Sequence, residues 1–438
     1  MHAKIVPKTY LLPGLMLVVL VLYLIETYRG WFVLLLGLGV AWGGGYLWVR
    51  SLAKGLTFSR RMRFGWAQVG DRLEEQFELK NLGWAPAIWV EVDYASTMPD
   101  YQPKRVSAVG GAGLSSRWQI GGMCTRRGVF TLGPVTLRTH DPFGFFELTL
   151  EDPQTSTMLV TPPIIPLPFI EVAPGGRVGD GRPRRFAAEE TVSVTNVREY
   201  TPGDSLRLIH WPTTARRNQY FVRNLDNSPA SDWWIFLDLD ERVQAGQGAA
   251  STEEHGVILA ASLADQGLRG GHPVGLVTHG ADLAWLPPRH GEAHHHDLLR
   301  TLAVARPGAC SLQKLLELAR PIFRQNSLIL ITSNPNPIWV DALLPLLHRG
   351  AVPTVLFLDP ESYPAPESEA SHLVRPPTST LMQVLAEVGI VRYLIPSAFF
   401  DRPEMRPGHQ GQWEWRQTAS SRAFLRETPG DLAWKEVG

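Results

Sequence analysis

Trp233-Trp234-Ile235-Phe236-Leu237-Asp238-Leu239-Asp240 is a run of large apolar residues that ends in alternating acids. An unbroken apolar run of this length reads as a strand buried on both faces. Toward the C-terminus, helical and strand patterns then alternate. The pattern predicts a helix over Glu253–Gly267, a strand over Pro273–Thr278 and a hairpin strand over Leu283–Leu286. Helices follow around Leu298–Ala305 and Leu312–Phe323, then a strand over Ser327–Thr332, a helix over Pro337–His348 and a strand over Val352–Leu358. A last helix over Leu381–Val388 leads into a strand over Val391–Ile395, which Pro396 ends. Alternation of this kind predicts a doubly wound α/β domain over 231–400. Ligands in such sheets sit at the carboxyl ends of the strands, where Asp238, Asp240 and Thr332 fall.

Upstream, over 55–165, the period changes to two. Arg72–Leu79 and Ala87–Tyr94 alternate apolar and polar positions as half-buried strands do, with a turn at Asn81-Leu82-Gly83. Gly128–Leu137 reads as two strands joined at Gly133-Pro134, and Met158–Thr161 as a closing strand. Strands and turns at this spacing predict a small β-sandwich of immunoglobulin type. Asp141-Pro142-Phe143-Gly144-Phe145-Phe146 reads as an Asp-Pro turn with an aromatic staple.

The first 54 residues predict a membrane hairpin. Leu11–Ile25 and Trp31–Val49 carry no charge, and residues 26–30 leave room only for a turn. No small-residue cleavage site follows Ile25 and a second apolar run comes at once, so two spans within 11–49 are favoured over a cleaved signal peptide. Lys4 and Lys8 precede the first run, and Arg50, Lys54, Arg60, Arg61 and Arg63 follow the second. The positive-inside rule then predicts a multi-pass protein of the inner (cytoplasmic) membrane with its soluble domains in the cytoplasm. Gly39 and Gly43 form a small-residue pair that suits close packing within the hairpin.

Composition narrows the class. Of 438 residues 19% are charged, below the usual quarter of a soluble protein, in keeping with a membrane part. Lys plus Arg and Asp plus Glu both number 42, so no global basic field recruits nucleic acid. Two cysteines, Cys124 and Cys310, make neither a disulfide framework nor a C-x-x-C metal or redox site.

Between the two soluble regions, residues 166–230 hold the most specific stretch: Arg198-Glu199-Tyr200-Thr201-Pro202-Gly203-Asp204-Ser205-Leu206-Arg207-Leu208-Ile209-His210-Trp211, then Ala215-Arg216-Arg217. Pro202-Gly203 is a turn, after which Asp204 can cap a short helix carrying Arg207, His210 and Trp211. Arg198, Arg207, Arg216, Arg217 and Arg223 give this segment a local positive character. With the upstream Arg127-Gly128-x-Phe130-x-Leu132-Gly133-Pro134-Val135 and Asp141–Phe146, the stretch resembles the prokaryotic "domain of unknown function 58" family. Pro212 and Asn224 depart from the family pattern, which has a basic and an acidic residue there. The resemblance implies a membrane hairpin, a β module, this signature and a von Willebrand A-like α/β domain in order. It also implies an assembly or chaperone-like role beside a MoxR-type AAA+ ATPase.

Von Willebrand A domains hold magnesium through D-x-S-x-S, a distant Thr and a further Asp, an oxygen set suited to a hard cation. Here Asp238 keeps the first position, while Asp240 and Arg242 stand at the two serines. Cys310 falls at the Thr, and Thr332-Ser333-Asn334 at the last acid. A guanidinium at Arg242 would replace a metal rather than bind one, so this degenerate crest predicts no metal, and no cofactor is expected. His290, His294, His295 and His296 read as a solvated loop near a helix start, because adjacent residues point to different sides. The polar tail over 401–438 reads as a loose extension.

The function expected is that of a membrane-anchored, non-enzymatic scaffold. Its partner-binding residues would be Arg198, Tyr200, Gly203, Asp204, Arg207, His210, Trp211, Arg216 and Arg217. Two alternatives stand beside it: a hydrolase using Asp204, His210 and the arginines, and a metal-dependent binding module on the external face. The first lacks a nucleophile or phosphate loop; the second lacks an intact metal set and runs against the flanking charge.

Overall fold

The computed structural model describes residues 2–62, 64–167, 170–173, 194–201, 209–217, 219–225, 232–319, 326–364 and 376–401, with short strands at 415–417, 423–425 and 435–436. Two compact units emerge: residues 1–162 with 408–438, and residues 163–407.

The first unit opens with β1 (His2–Pro7), followed by helices α1 (Leu11–Ile25) and α2 (Arg29–Gly55). By length and composition α2 is long and apolar enough to cross a membrane, whereas α1 is a shorter apolar helix of 15 residues. Helix α2 begins at Arg29 and extends beyond the uncharged run, so Arg29 and Gly30 belong to the helix rather than to the turn. Gly39 meets Met16 at ordinary contact distance, and nothing lies near Gly43, so only the first glycine faces α1.

Nine strands follow α2: β2 (Leu56–Met62), β3 (Trp66–Gln68), β4 (Arg72–Asn81), β5 (Ala87–Ser96), β6 (Lys104–Val109), β7 (Leu114–Met123), β8 (Gly128–His140), β9 (Phe146–Asp152) and β10 (Ser156–Thr161). They form two sheets. One runs β1-β9-β8-β10-β3, with β5 paired to β8 and β6; the other contains β2, β4 and β7. Alternation in β4 puts Leu73, Glu75, Phe77 and Leu79 inward, where they meet Tyr94 and Leu137 from the other sheet. Val49 and Leu52 of α2, both fully buried, join the same core.

The expected break at Gly133-Pro134 does not occur. Residues 128–140 are one strand whose first part pairs with β10 and whose second part lies between β9 and β5. Gly133 lets the strand redirect itself: its φ is +94°, and a Cβ there would sit 2.5 Å from the Gln154 carbonyl oxygen.

In the second unit a hairpin of β11 (Val194–Glu199) and β12 (Phe221–Leu225) flanks the short helix α3 (Trp211–Arg217). Next come β13 (Trp233–Leu237), a two-residue pair β14 and β15 (Gly246–Gln247, Ala250–Ser251), and α4 (Thr252–Arg269). The chain continues through β16 (Val274–His279), β17 (Leu283–Arg289), α5 (Glu292–Val304), α6 (Leu312–Ala319), β18 (Ser327–Thr332) and α7 (Val340–His348). It then passes through β19 (Val352–Leu358), α8 (Thr378–Glu387) and β20 (Val391–Ile395).

The six-stranded sheet runs β17-β16-β13-β18-β19-β20; β17 is an antiparallel edge and the other pairings are parallel. Ile235 and Leu237 face α4 and α5, while Trp234 and Phe236 face α6, α7 and α8, so β13 is buried on both sides. Helix α4 starts where Ser251 accepts the Glu254 N–H at 3.2 Å, has Glu253 and Glu254 in its first turn, and ends in Arg269 against the helix dipole. Residues 164–167 and 170–172 add Ile165, Leu167 and Ile170 to the α4 side of the core; Ile165 N–H donates to Ser262 Oγ at 2.9 Å.

Candidate functional site

At the carboxyl end of β13 the acids are buried and fully engaged. Asp238 Oδ2 accepts from the Thr332 hydroxyl at 2.6 Å, and its Oδ1 accepts from the Asp240 N–H at 3.1 Å. Burial is the main force pushing the Asp238 carboxyl up to about 6; the Thr332 hydrogen bond pulls the other way. Asp240 is held bidentately by Arg242, with Nε at 2.8 Å and Nη2 at 2.7 Å. Gln244 Nε2 donates to the carbonyls of Asp238 and Asp240, and Thr252 Oγ1 donates to Gln244 Oε1.

The 306–308 segment closes this crest from one side: Gly308 N–H donates to the Leu239 carbonyl, and Glu241 N–H to the Gly308 carbonyl. Only glycine fits at 280, where a Cβ would collide with the Arg306 carbonyl oxygen. Cys310 is half-buried, and burial raises its thiol above the ordinary range. With all four carboxylate oxygens engaged by Thr332, Arg242 and backbone N–H, this donor set does not fit magnesium. Among the described residues no group of three or more His, Cys, Asp or Glu is arranged to hold a metal ion.

The signature residues lie on and around α3. Helix α3 begins at Trp211, one residue after His210, so His210 is not carried inside a helix that starts near Asp204. His210 instead caps it: its carbonyl accepts from Thr213 and Thr214 N–H at 3.1 and 3.0 Å, and its Nδ1 lies 2.7 Å from Thr213 Oγ1. Its own N–H donates to the Phe221 carbonyl at 2.7 Å, tying the cap to β12. Arg217 lies over the Phe221 ring at 5.6 Å. Tyr200 meets Tyr220 edge-on at 6.3 Å, joined by the Tyr200 N–H to the Tyr220 carbonyl. Trp211 and Tyr220 are 63% and 60% exposed, and Arg216 and Arg217 are exposed beside them.

Tyr200, His210, Trp211, Arg216 and Arg217 are thus gathered on one small substructure. Arg198 pairs through its backbone with Val222 in the same hairpin. Gly203, Asp204 and Arg207 lie outside the described residues.

Of the histidine cluster only His290 lies in an exposed loop. His294, His295 and His296 are in the first turns of α5, whose apolar stripe turns them to different sides. His294 is buried and lies 2.7 Å through Nε2 from the Val274 carbonyl, while His295 lies beside Asp265 of α4 at 3.6 Å. A further buried set has no motif in the sequence: His255 stacks on Phe400 at 3.8 Å between ring centres, with Nδ1 2.6 Å from the Tyr363 hydroxyl. Burial pulls the His255 imidazole down to about 4.

Fold and site together define an α/β unit with a closed ionic crest, in a chain that also carries a β unit and a helix of membrane-spanning length. The profile of the family described as "Protein of unknown function DUF58" matches residues 196–393. An uncharacterized protein of Mycobacterium tuberculosis is 28% identical over 177 residues, 39% of this chain and 56% of that protein. The uncharacterized protein YeaD of Bacillus subtilis is 28% identical over 142 residues, 32% of this chain and 34% of its own length. The chain therefore spans about half or less of the length of these curated relatives. Among solved structures, an aerotolerance-related membrane protein from Bacteroides fragilis, with multiple mutations to serines, aligns with a TM-score of 0.29 at 17% identity. That alignment covers 39% of this chain and 94% of that one.

Proposed function

We propose that the chain is a membrane-anchored, non-enzymatic scaffold that binds a protein partner through the exposed face around α3. The observation that carries this reading is the pairing of exposed Trp211 and Tyr220 with Arg216 and Arg217 on a substructure closed by its own backbone bonds. Aromatic and arginine side chains on a rigid support are the composition of binding hot spots. His210 is engaged as a helix cap, which favours a supporting role over proton transfer. A MoxR-type AAA+ ATPase is the partner implied by the family resemblance. The same resemblance supports an immunoglobulin-type sandwich for the β unit and a von Willebrand A-like fold for the α/β unit. Both α1 and α2 cross the inner membrane as a hairpin in this reading, and the basic residues from Arg50 onward, at the end of α2 and after it, hold the soluble units in the cytoplasm.

The test is capture of a purified MoxR-type ATPase by the full chain in detergent. Arg216→Glu with Arg217→Glu should abolish capture, through like-charge contact or loss of the cation, in a chain that stays folded with a small drop in unfolding midpoint from the lost Arg217–Phe221 contact. Trp211→Ala should weaken capture by about 2 kcal/mol, the scale of a hot-spot truncation. Turnover by the chain alone that disappears in His210→Ala would replace this reading with an enzymatic one.

A further inference from the structure

The helical hairpin is too short to hold the β unit clear of a bilayer. Lys8 N–H donates to the Phe145 carbonyl at 2.8 Å just before α1, and Trp42 of α2 packs on Phe145 and Phe146 at 5.9 and 4.5 Å between ring centres. The β unit therefore begins at the level of Leu11 on one helix and Trp42 on the other. From there to the turn, α1 and α2 extend only about 21 and 20 Å at 1.5 Å per residue, against a hydrocarbon core of about 30 Å. Counted from Arg29, that core ends beside Arg50, about 10 Å past the first contact with the β unit.

What stands at that depth is suited to an interface. A groove of about 420 Å³ is lined by Leu47, Arg50 and Lys54 on the open face of α2 and by Leu82 and Trp84 of the β4–β5 loop. Leu82 and Trp84 are 60% and 65% exposed; Trp84 is propped edge-on against Trp48 at 5.6 Å. Phe143, on the loop that meets Trp42, is 64% exposed. Arg50 and Lys54 are one helical turn apart, and neither is paired with a carboxylate among the described residues.

We infer that this rim of the β unit is seated in the membrane, with Phe143 within the acyl region, Trp84 at its boundary and the Arg50–Lys54 groove holding the headgroup of an anionic phospholipid. The inference rests on the membrane-spanning reading of α1 and α2. Three features converge on that occupant: the missing length of the hairpin, the continuity of the groove with α2, and two cations beside Trp84 at one depth.

The test uses the full chain, with Cys124→Ala and Cys310→Ser, in nanodiscs of phosphatidylcholine with phosphatidylglycerol. A bimane label at Trp84→Cys should be quenched several-fold more by lipids spin-labelled high on the acyl chain, and one at Phe143→Cys by lipids labelled further down it, than one at Gln154→Cys, at the opposite end of the unit. Native mass spectrometry from mixed micelles should show phosphatidylglycerol retained several-fold over phosphatidylcholine. That preference should be lost in both Arg50→Gln/Lys54→Gln and the corresponding double Glu variant. Unquenched labels or no preference, in a chain that resists alkaline carbonate extraction, would overturn the seating while leaving the anchor intact. Release by carbonate would overturn the anchor itself, and the seating with it.

Discussion

Arg242 lies two residues after Asp240 and covers both of its carboxylate oxygens, at 2.8 and 2.7 Å, while Asp240 itself is 2% exposed. The guanidinium stays largely in solvent, so its hydration is retained while the buried acid is neutralised. The crest carries its own cation.

Removing that cation should expose a latent affinity. Wild-type chain is expected to show no change in thermal midpoint with millimolar magnesium, whereas Arg242→Ala should gain a concentration-dependent rise, because a ligand of the native state alone must stabilise it. The rise should vanish when Asp238→Ala is added. A magnesium-dependent rise in the wild type would show that Asp240 is not held as firmly as its geometry indicates.

Two buried groups should tilt stability against pH in opposite directions. Asp238 is pushed up to about 6, so between roughly 4 and 6 the folded chain binds more protons there than the unfolded one. Its contribution is full below about 4 and fades as pH rises through 6. His255 is pulled down to about 4, so the unfolded chain binds the extra proton, and stability rises with pH from about 4 to 6.5. Each group is worth at most about 3 kcal/mol at 1.36 kcal/mol per unit. Denaturant unfolding of the full chain should therefore give a steeper rise with pH in Asp238→Asn, and a fall with pH in His255→Gln, relative to wild type.

In the β unit, Glu75 is fully buried and accepts from Tyr101 at 2.5 Å and from Tyr94 at 3.1 Å, with Arg60 3.7 Å away. Burial raises its carboxyl above the ordinary range despite those partners. Tyr101→Phe leaves one carboxylate oxygen without its donor and should cost about 1.5–3 kcal/mol, the range for a hydrogen bond to a charged group. Adding Glu75→Gln should recover part of that loss, which urea unfolding of the two variants and their combination would measure.

Topology has a direct test. A reporter fused after Gly438 should be active only in the cytoplasm if the basic residues following α2 set the orientation. A periplasmic signal would reverse it and revive an external binding module.

The strands at 233–237, 327–332 and 352–358 are legible in the sequence because a strand covered on both faces reads as a near-continuous apolar run, and few other structures require that. The same holds for α2, whose uncharged run over 31–49 is long enough by composition to cross a membrane, and for β4 and β5, where inward and outward positions alternate. Residue identity also marks the crest, since Asp238, Asp240 and Arg242 sit at the carboxyl end of a recognisable strand. Tertiary structure alone decides what these residues do with one another. That Arg242 turns back onto Asp240, that His294 faces the Val274 carbonyl, and that His255 finds Tyr363 and Phe400 all depend on backbone segments far apart in the chain. Residues 164–167 and β1 carry prolines or lysines that hide their part in a core and a sheet. Local propensity reports the period of a segment, whereas burial and pairing are set by which other segment arrives against it, and that information is not local.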